Sequence, residues 1–98
     1  MIKGKIFVIK KRLWKTEDLL GFKNDMILVV KNTTPDITII IDMVKVIVTE
    51  INSPLCHAAI IAREYNKPIL MGVEDVTEKF NTGEEVIINF ENKTIIKC

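Results

Sequence analysis

KVIVTEINSPLCHAAIIAREYNKPILMG, residues 45–72, is the stretch that decides the fold. It opens on KVIVT (45–49), a short β-branched run suited to a buried strand. Asn52 and Ser53 are residues that cap helices, and Pro54 fits a first helical turn. Ala58, Ile61, Ala62 and Tyr65 then fall at i, i+3, i+4 and i+7, which predicts one apolar helical face. Pro68 marks the end of that helix, and PILMG (68–72) reads as the next strand. A strand, a helix and a strand in this order form a crossover between parallel neighbours.

Outward from this unit, GKIFVIK (4–10) and DMILVVK (25–31) read as strands. TEDLLG (16–21) reads as one helical turn stopped by Gly21. Thr33 or Thr34 is placed to cap a helix whose first position is Pro35, with Asp36 favourable against its dipole. The run Ile37–Ile41 disputes that helix on propensity. After a turn near EDVTEKF, Gly83 introduces a hairpin: EEVIINF, the polar break Glu91-Asn92-Lys93, then TIIKC. The expectation is an α/β domain over 1–98: a mixed sheet with two main helices and a C-terminal hairpin.

The chain has 98 residues, 48% of them apolar, enough for a core without disulfide or metal support. A formal net charge of +1 argues against nucleic acid as the main partner. The charge is uneven: residues 1–31 hold eight Lys or Arg against three Asp or Glu, and residues 32–98 hold six against ten. That excess reads first as solvated surface and second as a docking patch. The N-terminal MIKGKIFVIKKRLWK has no long apolar run, so neither a signal peptide nor a membrane span is expected. Two cysteines, Cys56 and Cys98, form no disulfide framework or CxxC metal site, which implies a reduced, cytoplasmic setting.

His57 is the only histidine. Its predicted place is the first turn of a helix, where unpaired N–H groups and the positive dipole end favour an anion. A neutral ring nitrogen attacks phosphorus, and phosphoryl transfer then needs in-line positioning and charge stabilisation. One histidine suffices for such a carrier, whereas a single histidine without clustered ligands fills no metal shell. Asn52, Ser53 and Cys56 are candidate phosphate-binding groups beside it; Ser53 reads equally as a cap, and Cys56 reads first as a small packed thiol. Cys56 and His57 point about 100° apart on a helix, a poor nucleophile–base pair. Arg63 lies roughly 9 Å along the axis and about 120° around it from His57, which suits surface pairing or partner docking better than phosphate contact.

CHAAIIARE (56–64) followed by KPILMGVEDVTEKFNTGEEVIIN closely resembles the mobile domain of phosphoenolpyruvate (PEP)-utilising enzymes, with DMILVVKNTTPD and KVIVTE upstream also similar. The resemblance covers roughly residues 25–97. It implies a swivelling β/β/α fold, phosphorylation of His57, and exchange with a PEP- or ATP-utilising protein in trans. Magnesium and PEP or ATP are then expected on the partner and no cofactor in this chain. The family usually has two glycines and a threonine where this chain has Asn52, Ser53 and Leu55. Those departures keep open an alternative, a non-catalytic binding or regulatory module on the same fold.

Overall fold

The computed structural model describes residues 1–52 and 57–98. Six strands form one sheet: β1 (Ile2–Ile9), β2 (Met26–Val30), β3 (Val44–Thr49), β4 (Ile69–Leu70), β5 (Glu85–Asn89) and β6 (Thr94–Lys97). Their spatial order is β4-β3-β2-β1-β5-β6. β1 to β4 are parallel, while β5 runs antiparallel to both β1 and β6. The sheet is therefore mixed, ends in a hairpin, and belongs to the α/β class, as the sequence predicts. β1 changes partner midway. Ile2–Lys5 pair with β5, and Ile6–Ile9 pair with β2.

The unbroken apolar runs of the central strands reflect burial on both faces. Leu28 and Val30 of β2 join one core cluster with Phe7, Trp14, Ile37, Ile40, Ile47, Ile61 and Ala62. Ile27 and Val29, their alternates, join the other with Ile6, Val46, Val48, Val76, Phe80, Val86 and Ile88. Successive side chains of a strand point to opposite faces, so MILVV (26–30) serves both cores.

Helix α1 (His57–Glu64) buries Ala58, Ala59, Ile61 and Ala62. Tyr65, predicted to extend this face, lies beyond the helix and is 41% exposed. The helix stops before Pro68 is reached. Asn66 takes left-handed geometry (φ 57°), and the Lys67 N–H reaches the Ala62 carbonyl at 2.9 Å. That is a Schellman closure with asparagine in the glycine position.

The segment after Pro35 is not an α-helix. It forms two 3-10 helices, Pro35–Ile39 and Ile41–Met43, with i→i+3 bonds from Ile37 to Thr34, Ile40 to Ile37 and Met43 to Ile40. β-branched residues crowd an α-turn, and the three-residue repeat stacks Ile37 and Ile40 on one buried edge while Ile39 stays exposed. Thr34 occupies the capping position without a side-chain cap bond. Asp36, expected to act on the helix dipole, instead accepts from the Thr16 N–H (2.7 Å) and hydroxyl (3.0 Å). The EDVTEKF turn contains the second α-helix, α2 (Val76–Lys79), which packs on the opposite face through Val76.

Candidate functional site

The carboxyl ends of β1, β2 and β3 deliver Arg12, Asn32–Thr33 and Glu50–Asn52 to one edge of the sheet. In open α/β sheets this is the edge where ligands bind. His57, the first described residue of α1, joins them half-buried. Its Nδ1 lies 2.7 Å from the Thr33 hydroxyl. Of the two threonines predicted as a cap, Thr34 takes the capping position and Thr33 meets the imidazole. The Thr33 pairing engages one of the two ring nitrogens, Nδ1.

Three buried polar residues, Thr33, Thr49 and Thr77, are found among the described residues, and each fixes a segment of this edge. The Thr33 hydroxyl meets the imidazole, and the Thr33 N–H donates to the Asn32 side chain at 2.9 Å. Thr49 Oγ1 donates to the Ile51 carbonyl at 2.9 Å, bending the chain as it leaves β3. Thr77 donates its hydroxyl (2.6 Å) and its N–H (3.1 Å) to Glu50 Oε2. Burying a polar group without such a partner costs about 1–3 kcal/mol, so these bonds specify where each segment sits.

Glu50 is the centre of a second cluster. Its Oε1 is 3.6 Å from Lys31 Nζ, which is also 3.7 Å from Glu78. Burial pushes the Glu50 carboxyl up, but the two Thr77 hydrogen bonds and then Lys31 outweigh it, so the net displacement is below the ordinary value of 4.5. A carboxylate depressed on folding adds stability that is full above its unfolded value and is lost as pH falls through its folded value. Glu50→Gln should therefore cost about 1–2 kcal/mol near neutral pH. Chemical denaturation at a series of pH values should find that difference shrinking below 4.5. A constant difference through the acid range would show that the charge is not what matters.

Asn52 is exposed beside Gly72. A Cβ at Gly72 would sit 2.8 Å from the Asn52 Cβ, and Gly72 has φ +75°. The Gly72 N–H also holds the Ile51 carbonyl at 3.0 Å. Only glycine allows this close crossing and this backbone geometry together. The chain leaving β3 is thus pinned at residues 49–52 by the residues that follow β4. The candidate residues Ser53 and Cys56, and the departure at Leu55, lie outside the described residues. Arg63 is exposed on α1, with no ion pair among the described residues. No cluster of three or more His, Cys, Asp or Glu that could hold a metal occurs among the described residues. Among them, no helix is long and apolar enough to cross a membrane.

Fold and site together define an α/β domain that presents one histidine at the carboxyl edge of its parallel strands. Comparison with known proteins places it further. Residues 22–93 match the family described as PEP-utilising enzyme, mobile domain. The PEP synthase of Helicobacter pylori is 34% identical over 86 residues, 88% of this chain and 10% of that protein. The PEP-protein phosphotransferase of Mycoplasma genitalium is 36% identical over 77 residues, 76% of this chain and 14% of that protein. A solution NMR structure of Enzyme I superposes with a TM-score of 0.62 at 25% identity, over 81% of this chain and 33% of that one. The chain belongs to the mobile-domain family of the PEP-utilising enzymes, and it spans only a small part of these curated relatives.

Proposed function

We propose that this chain is a phosphoryl carrier that accepts and donates a phosphoryl group on His57, working in trans with a separate PEP- or ATP-utilising protein. The observation that carries the reading is the 2.7 Å pairing of His57 Nδ1 with Thr33 Oγ1 at the carboxyl edge of the parallel strands. In the tautomer that donates Nδ1–H to Thr33, the lone pair sits on Nε2. That lone pair attacks the donor's phosphorus. The P–Nε2 bond forms as the bond from phosphorus to the leaving oxygen breaks, and the electron pair departs with that oxygen. The proton stays on Nδ1, where Thr33 holds it. Return transfer reverses these steps onto the acceptor. Such a reaction needs positioning and charge stabilisation more than proton transfer. The amino end of α1 is a favourable place for the added negative charge. Magnesium and the donor's own phosphates are assigned to the partner, and the exposed Arg63 to contact with it.

The test is incubation with a PEP synthase or PEP-protein phosphotransferase and phosphorus-labelled PEP or ATP. Acid-labile, alkali-stable label should appear on the chain and map to His57. Absence of label, under conditions in which the partner itself is phosphorylated, would favour the non-catalytic module on the same fold.

A further inference from the structure

The opposite edge of the sheet carries a second feature. A cavity of about 550 Å³ lies at the amino ends of the parallel strands, lined among others by Gly4, Lys5, Lys23, Asp25, Lys45 and Gly83. Its volume falls within the range of small-molecule sites. The strand lengths put it on the order of 15–20 Å from the His57 edge.

Lys45 is aimed there by the backbone. Met26 pairs with Val44 and Ile27 with Val46, so Lys45 has no opposite residue. Such a bulge redirects the side chain it carries. The bare backbone of Gly4 receives the redirected stem: a Cβ there would lie 3.5 Å from the Lys45 Cδ and 3.2 Å from the Ile27 Cδ1. The Lys45 ammonium donates to the Lys3 carbonyl at 2.8 Å and stands 3.9 Å from Asp25. An ammonium has three donors, so this one retains capacity for a ligand. Lys5 and Lys23 line the same cavity and form no ion pair among the described residues. Three lysines against one aspartate leave an excess of two positive charges, matched by one phosphomonoester dianion. Part of the basic excess of residues 1–31 thereby acquires a specific place, through Lys5 and Lys23.

We infer that this cavity is a binding site for a small phosphorylated metabolite, with Lys5, Lys23 and Lys45 gripping its phosphate. The cavity is far larger than a phosphate, so an organic body fills the remainder between Gly4, Gly21 and Gly83.

Amide-resolved NMR titration tests this with three probes: AMP, inorganic phosphate and the uncharged adenosine. AMP should shift the Gly4, Gly21, Asn24 and Gly83 amide signals saturably, phosphate should do so more weakly, and adenosine should leave them in place. Lys45→Gln and Lys23→Ala should each weaken AMP by about tenfold or more, with added salt weakening it further. Lys23 lies in a loop, so its variant keeps the test valid if Lys45→Gln perturbs folding. His57→Ala should leave the titration unchanged, which separates this site from the carrier reading. Static signals with every phosphate probe would overturn the inference. Shifts that persist at full affinity in both lysine variants would do the same.

Discussion

Thr33→Val is expected to slow phosphoryl transfer to His57 by about 10- to 100-fold, the cost that losing the hydrogen-bond partner of an oriented imidazole has at metal sites. Valine matches threonine in shape, and Thr33 is 5% exposed, so the substitution subtracts an oxygen and little else. What is lost is the 2.7 Å partner of Nδ1. The ring is then free to rotate, and to place its proton on Nε2, the nitrogen that must attack. The loss corresponds to roughly 1.4–2.8 kcal/mol at the transition state. Thr33→Ser, which keeps the hydroxyl, should recover most of the rate. His57→Ala should abolish labelling altogether while the domain stays folded, because the ring is only half-buried. Quenched-flow labelling by an active partner measures all three. If Thr33→Val were labelled as fast as the parent chain, the hydroxyl would have no part in orienting the nucleophile, and the pairing would be structural.

The strands and the place of His57 at the start of a helix were legible in the sequence, and the reason is local. MILVV is apolar throughout, and VKVIVT is apolar except at Lys45 and Thr49, because both faces of the sheet are covered there. The apolar positions of α1 repeat at helical spacing, and Glu91-Asn92-Lys93 breaks the last hairpin at a left-handed Lys93. What stayed hidden depends on contacts between distant residues. Thr33 reads as a cap beside Pro35, and only its contact 24 residues away reveals it as the partner of His57. Glu50 looks like a strand end, yet its partner Thr77 is 27 residues on. A window long enough to see one helical face is too short for either. Lys45 reads only as the first residue of the buried strand KVIVT (45–49), since a bulge is a property of the pair of strands and leaves no trace in one of them. The 3-10 segment was half legible: Pro35 marks its start, while the isoleucine run that disputes an α-helix does not say what replaces it.

Trp14→Ala should be among the most destabilising single changes in this chain, at about 3–5 kcal/mol. Trp14 is 1% exposed and is the bulkiest of the fully buried side chains. It packs in the cluster that also holds Leu28, Ile37 and Ile61, so it joins β2, the 3-10 segment and α1. Deleting the indole leaves a cavity at that junction. For a domain whose whole stability is of order 5–15 kcal/mol, such a loss removes a large share. The indole also donates from Nε1 to the Asn32 carbonyl at 2.8 Å. Asn32 precedes Thr33, so this bond holds the backbone from which the His57 partner projects. Trp14→Phe separates the two contributions. It keeps most of the packing and drops the bond, which should cost about 1–2 kcal/mol. It should also slow labelling of His57 without abolishing it, since Asn32–Thr33 loses its anchor while the hydroxyl remains. Urea unfolding followed by far-ultraviolet circular dichroism gives the stabilities. Transfer rates measured well below the unfolding transition give the second effect. If Trp14→Phe lowered stability yet left the labelling rate untouched, the tryptophan would belong to the core alone. Position of the His57 edge would then rest on the Thr49 and Gly72 bonds to Ile51 and on the grip of Thr77 on Glu50.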